Sequence, residues 1–372
     1  MPNDEGGRRG PWDGFARRGV AYDTGSNFET GQGELSRTVW STAAMEHDIS
    51  AIAGDLRCDS VTVYGTDLGR LASTAHAAAS HGLHVWLQPR LVDRPQREVL
   101  DHLAEAARLA EGLRRQGVAI DLTVGGEHSV FTPGIVPGEQ YHERMANIFA
   151  EADHFLLRPT VAVDVAATAP ALNAYLAKAS QVAHGIFGGG VGYSALPSED
   201  VDWRLFDFVG LMYQYLPRPL SRAGHLELLA GYAHWGKPLV IAEFGTATYR
   251  GAEEKAFFFW DVVDRQGDEL VVLDGYERDE HAQAAYHRKM FGIFAEAGVH
   301  SVAVGEFIHP THPHSPEPRL DLDTASMAIV KTIRADFADP ASAYHWEPKE
   351  SFRAIAEYYE ADRARAAGRR AA

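Results

Sequence analysis

Residues 220–245 read LSRAGHLELLAGYAHWGKPLVIAEFG and contain a helical pattern, a glycine, a short apolar run and a glutamate, in that order. The stretch 220–235 has the helical pattern. Gly236 follows it directly, where a residue that accepts positive φ without steric cost is favoured. The apolar run 238–242 predicts a strand, and Glu243 comes immediately after it. Helix, glycine and strand in this order are typical of one βα unit of an α/β fold.

The same order recurs along the chain, because Gly82, Gly117 and Gly298 also separate a helical stretch from an apolar run. Asp67 and Ser198 stand where helix N-caps are expected. Eight strand candidates favour a closed (β/α)₈ TIM barrel over an open doubly wound sheet, which has the same rhythm. The predicted strands are 19–22, 60–65, 83–87, 119–124, 182–191, 206–212, 238–242 and 301–304, and the predicted helices are 67–80, 97–116, 141–155, 171–179, 220–235 and 279–297.

The composition fits one barrel domain. A chain of 372 residues with 45% hydrophobic residues can bury a sizeable core. No Ser/Gly linker or low-complexity block interrupts it. The sequence therefore predicts a flexible segment at 1–17, a single catalytic barrel over 18–360 and a flexible tail at 361–372.

Charge and cysteine content exclude some partners. The formal net charge is −16, which opposes non-specific binding to nucleic acid or to anionic membranes. Cys58 is the only cysteine, so no internal disulfide is possible. Residues 1–9 are polar and lack the apolar segment of a signal peptide, and no run of about 18 apolar residues exists. A cytoplasmic enzyme with a small-molecule or carbohydrate substrate is expected, and no feature of the sequence indicates an oligomeric state.

Carboxylates follow several of the predicted strands directly. Glu127 follows the fourth strand, Glu243 the seventh and Glu306 the eighth, and Asp23 follows the first. In a barrel, catalytic residues lie at the carboxyl ends of strands. Carboxylates at the edge of a core cost desolvation energy unless they are paired or used. Their repetition therefore predicts a functional site at one mouth of the barrel.

Glutamates at the ends of the fourth and seventh strands resemble the pattern of clan A glycoside hydrolases, the 4/7 superfamily. VIAEFG at 240–245 is similar to that family's nucleophile segment, 202–210 to the approach to its sixth strand, and 346–352 to its closing helix. The resemblance covers roughly residues 18–360. It implies a retaining glycosidase with Glu127 as general acid/base and Glu243 as nucleophile. The reaction needs one protonated and one ionised carboxyl group.

Two positions depart from the family pattern. Gly126 stands where the family has an Asn that contacts the sugar 2-hydroxyl, and Glu306-Phe307 replaces a Trp after the eighth strand. The arginine expected after the second strand is also missing, although Arg90 after the third could substitute. Two alternatives therefore stay open: a barrel isomerase or cyclase that reuses both glutamates for proton transfer, and a catalytically silent carbohydrate-binding relative.

Six residues are predicted to contact substrate or to support the glutamates. Each also has a structural interpretation, such as a loop histidine for His128, a core aromatic for Tyr213 or a buried helix for Trp260. Tyr213 falls where the family often keeps a tyrosine near the nucleophile. The six residues are Asp23, Arg90, His128, Tyr213, Trp260 and Glu306.

The histidines at 309, 312 and 314 have a spacing that can bind zinc. However, the first strand lacks the His-x-His pair usual in metal-dependent barrel hydrolases, and Pro310 and Pro313 favour a stiff exposed loop. The sequence therefore predicts neither a catalytic metal nor a cofactor.

Overall fold

The barrel prediction is confirmed in the computed structural model, which describes residues 14–27, 35–37, 39–150, 161–265, 267 and 269–370. Within these residues, eight parallel strands close into a barrel in sequence order, and the last strand pairs with the first. The strands are β1 (Arg17–Asp23), β2 (Ser60–Gly65), β3 (His84–Pro89), β4 (Ile120–Gly126), β5 (Val191–Ala195), β6 (Phe208–Met212), β7 (Leu239–Phe244) and β8 (Ser301–Val304).

Helices surround the barrel, and two antiparallel strand pairs lie outside it. The pairs are Val263–Asp264 with Val271–Val272, and Val330–Arg334 with Tyr344–Pro348. The helices are α1 (Thr42–Gly54), α2 (Leu68–Ser80), α3 (Gln96–Arg115), α4 (His128–Phe131), α5 (Tyr141–Ile148), α6 (Ala169–His184), α7 (Arg222–Ala230), α8 (Glu280–Glu296) and α9 (Glu350–Arg370).

The predicted glycines between helices and strands and the predicted helix cap at Asp67 are confirmed. Gly82 and Gly236 have φ values of 74° and 63°, the conformation that only glycine adopts freely, and the next strands begin two and three residues later. Asp67 caps α2 by accepting a hydrogen bond from the backbone of Arg70 at 2.8 Å. Ser198 is not a cap, because it lies in a turn and no helix begins there.

The fifth strand was misplaced. Val182 and the buried Ala183 belong to the end of α6, residues 185–190 connect the helix to the barrel, and the strand begins only at Val191. A short apolar run has the same appearance at the end of a helix and in a strand. Helix α1 had no counterpart among the predicted helices.

The tail prediction was wrong for residues 361–370, which continue α9 as helix. The Asp362 side chain is fully buried and accepts hydrogen bonds from Arg18 Nε at 2.8 Å and from the backbone of Phe15 at 3.1 Å. These contacts join the last helix to the start of β1. Residues 1–13, also predicted to be flexible, lie outside the described residues.

The lower part of the barrel interior is filled by a layer of large side chains. Trp86, Phe208 and Val240 form one buried cluster, with the Trp86 and Phe208 rings edge to face at 5.0 Å. This layer closes the barrel, so the chemistry-bearing side chains lie above it, at the carboxyl ends of the strands. None of the helices in the described part of the chain is long and apolar enough to cross a membrane.

Candidate active site

Glu127, Glu243 and Glu306 lie at the same mouth of the barrel. Glu127 follows β4, Glu243 is the second-last residue of β7, and Glu306 follows β8 by two residues. Because all barrel strands are parallel, their carboxyl ends share one mouth. The three residues are only 1%, 5% and 6% exposed, so their carboxyl groups are nearly closed off from solvent, and the part of the mouth that they border is called the pit below.

A bulge in β7 turns Glu243 into the barrel. Leu211 of β6 pairs with Ile241, but the next residue of β6 pairs with Glu243, so β7 carries one extra residue. Ile241 and Phe244 both pack in the outer core between strands and helices. Strict alternation from Ile241 would send Glu243 outward as well, and the extra residue re-aims it.

Glu127 is held at the end of β4 in a left-handed backbone conformation, with φ of 55°. Such conformations in non-glycine residues cluster at functional sites. Tyr215 donates a hydrogen bond to Glu127 Oε2 at 2.8 Å, and Arg90 Nη2 lies 3.9 Å from Oε1. Burial raises the pKa of Glu127 to about 7, and Glu199 adds to the rise, while Arg90 and Tyr215 oppose it.

Glu243 accepts a hydrogen bond at Oε1 from the side-chain amide of Gln214. Burial raises its pKa well above the usual value, and the nearby carboxyl groups of Glu306 and Glu127 raise it further. Arg90 lowers it. The ionisation of Glu243 therefore depends on how many protons its neighbours hold.

Glu306 is the residue after β8 that joins this cluster. Tyr64 donates a hydrogen bond to Glu306 Oε2 at 2.8 Å, and His309 Nδ1 lies 3.2 Å from Oε1. Burial raises the pKa of Glu306 to about 8, and Asp23 adds to the rise, while Tyr64 opposes it.

Among the described residues, Arg90 is the arginine that acts on both Glu127 and Glu243. It is 8% exposed, and its guanidinium lies over the rings of Tyr64 and Phe131 at 4.3 and 5.3 Å. Burial between two rings fixes the guanidinium, and its single charge faces both Glu127 and Glu243.

His128 and Tyr213 do not face the pit, contrary to their predicted roles. The His128 ring nitrogens contact Thr132 Oγ1 at 2.8 Å and the carbonyl of Val124 at 3.0 Å. The His128 ring also stacks on Tyr193 in the outer core. The Tyr213 hydroxyl bonds His225 Nδ1 at 2.9 Å instead of Glu243.

The two residues after Tyr213 have the contacts that were expected of it. Gln214 bonds Glu243 and Tyr215 bonds Glu127, so adjacent residues after β6 hold both candidate catalytic carboxyls. Alternation along β6 was the available signal. Phe208 faces into the barrel, so even-numbered positions through Gln214 face inward and Tyr213 faces the helices.

Asp23 and Trp260 border the site without reaching the glutamates by a described hydrogen bond. The Asp23 carboxylate accepts from the hydroxyls of Ser36 and Ser26 in its own loop. The half-buried Trp260 ring lies 5.8 Å from Phe257, which stacks on Tyr215 at 4.3 Å. Trp260 is therefore one ring removed from Tyr215.

The histidine-rich segment is half-buried, not an exposed loop. His309 lies against Glu306, and its ring centroid is 4.0 Å from that of His312. His314 pairs instead with Asp321 at 2.9 Å, so the three histidines do not converge.

At Gly126, Gln88 and Ser194 border the space that a side chain would enter. A Cβ there would lie 3.1 Å from the carbonyl oxygen of Ser194 and 3.3 Å from Gln88 Nε2. The Ser194 hydroxyl donates to Gln88 Oε1 at 2.8 Å. Polar groups from β3 and β5 thus lie where the family resemblance led us to expect an asparagine.

Several solved structures with a similar fold are described as glycosidases. A GH113 β-1,4-mannanase has a TM-score of 0.52 and 13% identity, covering 94% of this chain and 98% of its own. β-Glucosidase 1317 has a TM-score of 0.55 and 14% identity, covering 92% and 98%. A family 1 β-glucosidase from Thermotoga maritima has a TM-score of 0.55 and 13% identity, covering 95% and 99%. No protein-family model and no curated protein matches the chain. At this low identity the likeness shows the fold alone, a closed (β/α)₈ barrel.

Proposed function

We propose that this protein is a retaining glycoside hydrolase that acts on a glycoside or a sugar-containing small molecule. The observation that carries the proposal is the pair of buried glutamates on β4 and β7, each held by its own hydrogen-bond donor on the loop after β6. The same two strands carry the catalytic pair that the sequence resemblance implies. Arg90, Glu306, Asp23 and Trp260 remain candidates for substrate contact, and His128 and Tyr213 are not retained.

In this proposal, Glu127 donates its proton to the leaving oxygen while Glu243 attacks the anomeric carbon. Water, deprotonated by Glu127, then releases the sugar from Glu243. A pKa of about 7 lets Glu127 hold a proton near neutrality, as a general acid must.

Glu243 must be ionised to attack, although burial opposes its charge. Protonation of its neighbours makes this charge less costly, because Glu127 and Glu306 in their protonated forms no longer carry two of the negative charges that raise the pKa of Glu243. One carboxylate then remains opposite the single charge of Arg90. This distribution of protons keeps the buried cluster close to neutral.

The test is a screen of aryl α- and β-glycosides, followed by proton NMR of the first product formed from a substrate that is cleaved. We expect the product to keep the anomeric configuration of the substrate. Inversion would exclude Glu243 as a nucleophile. If none of the glycosides is cleaved, an isomerase or cyclase that uses the same glutamates becomes the leading candidate.

A further inference from the structure

Beside β8, the pit is bordered by the carboxyl group of Glu306. Phe307, the next residue, is fully buried, and its ring packs against Tyr22 and Trp346 at 6.2 and 5.3 Å. Glu306 is therefore the residue that β8 presents to the site, and the two-carboxylate reaction does not itself require it. A third buried carboxyl group costs desolvation energy, and the pKa of Glu306 stays raised to about 8 although Tyr64 bonds it, so the ionised form lacks a full counter-charge.

The charges around the pit are unbalanced. Arg90 faces the glutamates, whereas Arg37, the other arginine that acts on Glu306, is bound to Asp48 at 2.8 Å. Among the described residues, carboxyl groups therefore outnumber arginines at this mouth. The carboxyl groups concerned are Asp23, Glu127, Glu243 and Glu306.

Unfilled hydrogen-bond acceptors give a second, independent indication. Glu127 Oε1 and Gln214 Oε1 are buried and accept no hydrogen bond from the described residues. Both side chains are at least nine-tenths buried. The other end of the Gln214 amide is bonded to Glu243, which places its carbonyl oxygen at the same site. Buried acceptors without donors are costly, so a ligand that brings several donors fits this pit.

We propose that the substrate is a glycoside whose sugar carries a free, protonated amino group, and that Glu306 receives this ammonium group. The inference rests on the proposed glycosidase function. An ammonium group brings three donors and one positive charge, and this charge favours release of the proton that Glu306, with its pKa raised to about 8, holds in the free site. A hydroxyl group brings a donor without the charge, and the carboxylate of a uronic acid would be repelled. Tyr64 and His309 hold the Glu306 carboxyl in place from its two oxygens.

The test compares kcat/KM for aryl glycosides of one sugar that differ at a single carbon, which carries a hydroxyl, a free amine or an N-acetylated amine, with the uronic acid as a further member. The amine is placed at carbon 2, 3, 4 or 6 in turn. We expect one amino isomer to be the best substrate. Glu306→Gln keeps the shape of the side chain but cannot ionise to pair with the ammonium group, so it should lower kcat/KM for that isomer roughly 10- to 100-fold. The same substitution should change the hydroxyl substrate much less.

Glu347→Gln is the matched control, because this half-exposed carboxylate pairs with Lys331 in the antiparallel strand pair outside the barrel. It should leave the preference for the amine unchanged. Thermal unfolding of Glu306→Gln checks that the variant is folded, and calorimetry with the free amino sugar measures the preference without turnover. Equal losses on the amine and hydroxyl substrates, or a wild type that prefers the hydroxyl or uronic substrate, would overturn the inference and leave the glycosidase proposal standing. Failure to cleave any member would reject both.

Discussion

Protonation of Glu127 sets the pH range of the proposed reaction. Its pKa is raised to about 7, mainly by burial, and the general acid acts only while it holds the proton. We therefore expect kcat/KM to be highest below this value and to fall as pH rises through about 7. The pH dependence of kcat/KM reports the free enzyme, to which this pKa belongs.

Tyr215→Phe should move that fall to higher pH. The hydroxyl of Tyr215 donates to Glu127 and lowers its pKa, so removing it raises the pKa and keeps the acid protonated longer. The expected shift is up to about one pH unit, measured from the alkaline limb of kcat/KM. Tyr213→Phe is the matched control, because its hydroxyl bonds His225. A shift in the control but not in Tyr215→Phe would contradict the assignment.

For individual residues, the sequence predicted the carboxyl groups of the site better than the residues that bond them. Glu127 and Glu243 were found because an ionisable residue directly after an apolar strand is conspicuous. Tyr213 was chosen over Gln214 and Tyr215 by position in a resemblance, although alternation along β6 turns it outward. The bulge that aims Glu243 depends on pairing between strands, which a single sequence does not display.

At the scale of elements, the end of β7 packs closely against Gly305, the residue that follows β8. A Cβ added to Gly305 would lie 2.2 Å from Glu243 Cγ, closer than real contacts allow. The side chain of Glu243, the proposed nucleophile, thus occupies space that a side chain at position 305 would fill.

Gly305→Ala should therefore displace Glu243. We expect kcat/KM to fall about 100-fold, since a shift of about 1 Å in a catalytic group has that effect. Unfolding in urea should show a loss of about 1–3 kcal/mol from overpacking. Gly292→Ala in α8 is the control, because its Cβ would meet no atom within 4 Å, and it should not reduce activity. Full activity of Gly305→Ala would show that the reaction does not depend on the observed position of the Glu243 side chain.

For the whole molecule, the barrel was predictable because each βα unit carries its own local signals. The helix pattern, the glycine that ends it and the apolar strand all lie within about 25 residues. Contacts between distant parts were not predictable. Asp362 and Arg18 are 344 residues apart, and their buried ion pair turns an expected loose tail into a helix packed beside β1.

The most direct measurement of the central claim is azide rescue of Glu127→Ala and Glu243→Ala on an activated aryl glycoside that the wild type cleaves. Glu127→Ala should still form the glycosyl-enzyme, because a good leaving group needs little protonation, and azide should release a glycosyl azide of unchanged anomeric configuration. Glu243→Ala should be inactive alone and give the opposite anomer with azide. A general acid/base contributes typically 10²–10⁴-fold in rate, so the rescue should be measurable. If azide rescues neither variant, or if both yield the same anomer, the assignment of Glu127 as acid/base and Glu243 as nucleophile is contradicted.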